Sequence, residues 1–237
     1  MNIENNIKPS DRILVVAPHP DDESIGCGGL MLKYGAQCDV LILTDGRKGY
    51  DSSVQTDEEG LVKQRALELR NATNLAGITS IYMLGIPDGK LLEQADKVYS
   101  FDIKPYDSIF VPNHLERHKD HAPILKIFER MNRNQKAKAR IYEYEVWSPI
   151  ASPTDVLNLE GLMEQKLEMV HQYQSQIRFL DYEGMTEALN RYRGAGQKIQ
   201  YAEVYAYVPQ LSVAKRVFYK LPTPVRKALG SIRRKLR

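Results

Sequence analysis

The chain of 237 residues, 43% apolar and 27% charged, is long enough for one sizeable core and short for two catalytic domains. It has no apolar run of about 18 residues, so no membrane-spanning helix is expected, and MNIENNIKPSDR lacks the basic-then-apolar layout of a secretory leader. The net charge of +3 is uneven: nine Lys or Arg and no acid follow Gln210, so without them residues 1–210 stand at −6, which argues against an extended basic groove for nucleic acid.

Residues 12–17 (RILVVA) read as a short buried strand, because the apolar run does not alternate. A helix is expected over 24–35, with Gly26, Gly28 and Gly29 letting a neighbour come close. VLILT (40–44) is a second buried strand that ends at Asp45-Gly46. The polar, glycine-punctuated stretch 45–59 reads as a mobile loop beside the site. Residues 57–76 carry a helical pattern, with Leu61, Ala66, Leu69 and Leu75 on one face and Gly77 as the cap. SIYMLG (80–85) is a third strand, followed by a turn at Pro87-Asp88-Gly89. YDSIFVP (106–112) is a fourth strand, 122–131 a helix, and the alternating IYEYEVW (141–147) a fifth strand. Helical patterns over 160–175 and 183–193 precede a last strand at 201–208. Strands separated by helices predict an α/β fold with a mostly parallel sheet.

In such sheets ligands gather outside the carboxyl ends of the strands, and the unusual residues stand there. VVAPHPDDESIGCGG (15–29) places His19, Asp21, Asp22 and Glu23 directly after the first strand. NHLERHKDH (113–121) places His118, Asp120 and His121 after the fourth. Four of the five histidines therefore follow two strand ends. Adjacent carboxylates repel unless hydrated or partnered. Alone, HPDD also suits a helix start, with acids at the positive dipole end, and a lone HxxH suits a surface turn. Together they point to a metal. Zinc takes imidazole nitrogen and carboxylate oxygen, and two His with one Asp supply three ligands while leaving a place open. Of the neighbouring acids Asp21 and Asp22, one can bind metal while the other takes a proton. An imidazolium can meet an oxyanion and protonate a leaving amine, with Asp120 near enough in sequence to orient it.

These segments resemble the zinc-dependent N-acetylglucosaminyl deacetylases of the PIG-L/LmbE type. Beyond PHPDDE, the motifs LTDGRKG (43–49), QRALELRNATNLAG (64–77), LGIPDGKL (84–91), HKDH (118–121), YEYEVWSP (142–149), QSQ (174–176) and YAEVY (201–205) share the family's order and spacing. The resemblance spans residues 12–208. It implies a single Rossmann-like domain over 1–210 that hydrolyses the acetamide of an N-acetylglucosamine-containing glycoconjugate. It implies His19, Asp22 and His121 as zinc ligands, Asp21 as general base, His118 as oxyanion partner or acid, and Asp120 as the group orienting His118. Arg65 and Asp88 match positions that meet the sugar in relatives. Glu23 reads either as a support behind the ligands or as a helix cap. His114 reads as a loop cap or substrate contact, His171 as structural, and Cys27 as a packing residue. Lys119 departs from the proline of many relatives and is expected to point away from the ligands.

After Pro224, Val225, Leu229, Ile232 and Leu236 recur on one helical stripe accompanied by basic residues. A tail of this kind, residues 211–237, is expected either to lie on an anionic membrane or to dock on protein. Two cysteines, Cys27 and Cys38, imply no disulfide framework and suit a reducing compartment. The expected setting is the cytoplasm, at the membrane face if the tail meets lipid. A homo-oligomer is compatible with the sequence, and nucleic acid is not an expected partner. Two rivals stand beside the deacetylase reading: a deacylase of another amide, such as an antibiotic sugar or thiol conjugate, and an inactive zinc-bearing module that recruits partners to a membrane.

Overall fold

The structure is a computed structural model describing residues 1–49 and 57–209. Along the chain run β1 (Ile13–Ala17), α1 (Asp22–Tyr34), β2 (Cys38–Thr44), α2 (Glu58–Leu75), β3 (Ser80–Ile86), α3 (Ala95–Tyr99), β4 (Ser108–Pro112), α4 (Ile124–Asn134) and β5 (Arg140–Tyr144). There follow β6 (Asp155–Asn158), α5 (Met163–His171), α6 (Gln174–Ile177), α7 (Tyr182–Ala195) and β7 (Ala202–Val208). The seven strands form one sheet in the order β3-β2-β1-β4-β5-β7-β6. β1 to β5 pair in parallel, and only β6 with β7 is antiparallel among the pairs described. The expected α/β sheet is therefore present, with β6 and α3 as elements that the sequence pattern does not announce.

The chain leaves β1 toward β2 and β3, then returns to lay β4 on the other side of β1. That reversal opens a crevice at the carboxyl ends of β1 and β4. Both strands are buried along their whole length, which is why their apolar runs do not alternate. Ile13, Val15 and Ala17 share a core with residues of α1, α2 and α5, whereas Leu14 and Val16, equally buried, face the opposite side. On α1, a Cβ on Gly26 would stand 2.1 Å from Tyr144 Cδ2 and 2.8 Å from the Glu145 carbonyl oxygen. The glycine-rich start thus lets α1 press against the end of β5, as the sequence predicts. Gly77 closes α2 with a φ of +69°, where its N–H reaches the Asn74 carbonyl.

The face of α2 departs from expectation. Leu75 is 47% exposed, while Arg65 and Glu68 are buried beside Leu61, Leu69 and Ala72. The inward side of this helix meets the polar crevice as well as the core, so apolar spacing alone misplaces it. The fifth strand ends at Tyr144, short of the expected Trp147. The basic stripe after Gln210 and residues 50–56 of the loop expected over 45–59 lie outside the described residues. Among the described residues no helix is long and apolar enough to cross a membrane.

Candidate active site

The turn from β1 into α1 is built under constraint. Asp21 holds φ 135° and ψ −34°, a region costing a residue with a side chain about 1–3 kcal/mol unless its surroundings enforce it. Three groups enforce it. Its N–H donates to Glu23 Oε2 at 3.0 Å, its carboxylate accepts from Arg65 Nη2 at 2.8 Å, and its carbonyl accepts the Ser24 and Ile25 N–H groups. Glu23 is fully buried and also accepts from the Ser24 hydroxyl at 2.7 Å and from the Tyr173 hydroxyl. It stands behind the turn as its support. Burial pushes the Asp21 carboxyl up to about 8, with Arg65 opposing and Asp22 reinforcing the rise.

His19, Asp22 and His121 converge. His19 Nδ1 lies 3.1 Å from His121 Nε2 and 3.2 Å from Asp22 Oδ2, and His121 Nε2 lies 3.3 Å from the same oxygen. This is a nearly equilateral triangle of lone-pair atoms, all three residues less than 10% exposed. For tetrahedral zinc with ligands about 2.0–2.2 Å away, neighbouring donors stand about 3.3–3.6 Å apart. The donor set and its spacing fit such an ion. Electrostatics agree on His121 and Asp22. Burial pushes His121 down to about 4 despite Asp22, and Asp22 is held below the usual carboxylate range because its interactions with His121 and His19 more than offset its burial. Burial works against charge on His19, but Asp120, Asp22 and Asp88 overcome it and raise its titration well above the ordinary value.

A second grouping lies on the far side of the His19 ring. His19 Nε2 stands 3.4 Å from Asp88 Oδ1 and 3.6 Å from Asp120 Oδ2, within ion-pair range but out of hydrogen-bond alignment. Ligand atoms of His19, Asp88, His118 and Asp120 lie within 4.8 Å of one another, as do those of His19, His118 and His121. The set with Asp22 is tighter and more deeply buried. The His118 ring is exposed and meets His19 edge-on at 4.8 Å between centroids. Burial, reinforced by His19, lowers its titration.

The resemblance implies that Asp120 orients His118, but its carboxylate does not hold that ring. That carboxylate accepts the Gly89 N–H at 2.5 Å and the Leu91 N–H at 3.3 Å, and only its backbone N–H reaches His118 Nδ1, at 3.3 Å. The loop after β3 takes both carboxylate oxygens of the acid. Arg65, expected at the sugar, is 2% exposed and spends its guanidinium on Asp21, on the Pro20 carbonyl and, at 2.8 Å, on the Gly46 carbonyl. Asp88 is buried at the cleft wall and accepts the Lys48 N–H at 3.2 Å. Burial disfavours its charge, yet His19 and that N–H hold it well below the usual range. His114 pairs with Glu143 at 2.6 Å and so ties its loop to β5.

His19, Asp21, Asp22, Arg65, Asp88, His118 and His121 line a cleft of about 370 Å³ together with Lys48, Lys119, Trp147, Gln176 and Leu180. Lys119 turns into the cleft, contrary to expectation, because the neighbouring turn leaves room over Gly89. Gln176 is 2% exposed and its Oε1 has no hydrogen-bond partner among the described residues. It is delivered by Glu68, which takes the Ser175 N–H at 2.8 Å and hydroxyl at 2.6 Å and so fixes α6 to α2. Its signal in the sequence is the QSQ motif, which by itself assigns no role. Trp147, 43% exposed, likewise sits inside a recognised motif that assigns it no contact.

Residues 14–131 match the model of the PIG-L family, described as GlcNAc-PI de-N-acetylase. The 1D-myo-inositol 2-acetamido-2-deoxy-alpha-D-glucopyranoside deacetylase of Kineococcus radiotolerans is 38% identical over 84 residues, 33% of this chain and 23% of that protein. The probable N-acetyl-alpha-D-glucosaminyl L-malate deacetylase 2 of Bacillus cereus is 29% identical over 186 residues, 69% of this chain and 83% of that protein. The N,N'-diacetylchitobiose deacetylase of Pyrococcus horikoshii superposes with a TM-score of 0.74 at 22% identity, covering 94% of this chain and 91% of that one. That last likeness speaks for the fold. The chain thus spans about a quarter of the first of these relatives and most of the second.

Proposed function

Because this chain carries a PIG-L family domain, we propose that it is a metal-dependent deacetylase that hydrolyses the acetamide of an N-acetylglucosamine-containing conjugate. The observation that carries the reading is the triangle of His19 Nδ1, Asp22 Oδ2 and His121 Nε2, with the Asp21 carboxylate held beside it by Arg65. His19, Asp22 and His121 would hold a divalent ion of the zinc type, whose chemistry when bound is to polarise a carbonyl and acidify water. Relatives named for removing acetyl from glucosaminyl conjugates support the substrate class.

Within that reading each residue has a task. Asp21, its carboxyl placed near neutrality by burial, takes the proton of the attacking water. His118, at the cleft wall, donates a ring N–H to the oxyanion or acts as the acid toward the departing amine, the proton it gives being made good by the one Asp21 takes from water. Asp120 and Asp88 flank His19 Nε2 and fix the ring so that Nδ1 faces Asp22 and His121. Gln176, with Oε1 unpaired among the described residues, and Asp88, beside its contacts with His19 and the Lys48 N–H, line the wall where sugar hydroxyls would lie. Arg65 acts through Asp21 as a positioning residue.

The test is acetate release from N-acetylglucosamine derivatives. Release that a chelator abolishes, and that Asp21→Asn lowers by about 10²–10⁴-fold with metal content intact, supports the reading. Stoichiometric metal without cleavage of any acetamide overturns it and leaves the recruitment module standing. In this account residues 1–210 are the deacetylase domain and 211–237 a basic appendage. Liposome flotation with and without that appendage tests its contact with anionic membranes.

A further inference from the structure

We propose that the substrate carries an anion, a phosphate or a carboxylate, on the group attached to its amino sugar, and that Lys48 and Lys119 receive it. This inference rests on the deacetylase reading and narrows the substrate class for the same cleft.

The two lysines come from different parts of the fold. Lys48 follows β2, Lys119 follows β4, and both line the cleft. Both ammonium nitrogens approach Gly89: the point where a Cβ on Gly89 would stand is 2.6 Å from Lys119 Nζ and 3.5 Å from Lys48 Nζ. Gly89 sits at φ +83° in a turn closed by the Lys90 N–H on the Pro87 carbonyl, and its own N–H is fixed on Asp120. A side chain there would close the gap between the cations.

Neither ammonium group has a hydrogen-bond or ion-pair partner among the described residues. Other cations around the site are neutralised: Arg47 lies on Asp45 and Glu58, and Arg65 lies on Asp21. The nearest acids are engaged elsewhere, Asp88 with the Lys48 backbone N–H and His19, and Asp120 with the 89–91 loop. Two like charges on either side of one glycine without a counter-ion repel, and an anion between them relieves that repulsion. Lysine ammoniums act as compact point charges, so they take phosphate or carboxylate without demanding the planar fit that arginine imposes. A neutral glycoside would leave both unpaired.

Trp147 is the chain's single tryptophan and lines the cleft, so its fluorescence reads binding without catalysis. Three probes are compared at low salt: methyl N-acetylglucosaminide, N-acetylglucosamine 1-phosphate, and an N-acetylglucosaminide of a hydroxy acid. The expected result is that at least one anionic probe binds about tenfold more tightly than the neutral one, an advantage of two exposed ion pairs that salt erodes. In the double variant Lys48→Met/Lys119→Met the advantage collapses, and with Lys119→Arg it persists. Which anion shows it separates phosphate from carboxylate. Equal affinities for all three probes, or an advantage that survives the double variant, overturn the proposal. Absence of acetate release with the lysine-dependent advantage intact would instead sink the deacetylase reading alone.

Discussion

Arg65→Met separates two roles for a single guanidinium. If Arg65 acts on Asp21, its removal strips a buried carboxyl of the cation 2.8 Å away. An adjacent arginine lowers an aspartate by about 1–3 pH units, so its loss raises Asp21 by that amount above about 8. The ionised fraction at neutral pH then falls about 10- to 1,000-fold, and kcat/KM falls with it. The acid limb of the pH–rate profile moves up by the same interval, so alkaline pH restores much of the rate. Folding also suffers, because the Pro20 and Gly46 carbonyls lose their donor, at about 1–3 kcal/mol for each orphaned group. Acetate release across pH, at temperatures well below the unfolding midpoint of the variant, reads the catalytic effect apart from stability. A rise in KM with an unmoved acid limb would refute this reasoning and return Arg65 to the sugar, where the family resemblance puts it.

Gly26→Ala places a methyl group against Tyr144 and the Glu145 carbonyl. It should destabilise by about 1–3 kcal/mol, seen as a lower urea midpoint at unchanged slope. Zinc affinity should fall as pH drops, because His19 is raised well above its ordinary value and must surrender a proton to bind. The sign is fixed: below that titration point each pH unit lowers the apparent affinity about tenfold for the one proton displaced. Calorimetry in buffers of differing ionisation enthalpy counts the proton, and a pH-independent affinity would contradict the raised His19.

Much of this site is legible in the amino-acid sequence, for a physical reason. A parallel sheet buries its strands on both faces, so the apolar runs of β1, β2 and β4 stand out, and the ends of β1 and β4 mark where His19 and His118 to His121 meet. Other features depend on which partner arrives first in three dimensions. Nothing in HKDH reveals that the Asp120 carboxylate is taken by Gly89 and Leu91 from a loop 29 to 31 residues upstream. The buried position of Arg65 follows from the carbonyls of Pro20 and Gly46, which the periodicity of α2 cannot register. β6 is a four-residue edge strand whose exposure alternates, too short for a pattern to declare itself. Lys119 points into the cleft because of the empty space over a glycine about thirty residues away in sequence.

Metal analysis joined to X-ray absorption on the zinc-loaded full chain tests the central claim most directly. The account predicts one zinc per chain, with two nitrogen and at least one oxygen ligands about 2.0–2.2 Å away. It further predicts loss of that zinc from Asp22→Ala and His121→Ala and its retention by His118→Ala. Zinc kept by Asp22→Ala and lost from His118→Ala would put the ion in the other histidine and aspartate grouping, and the account would be wrong.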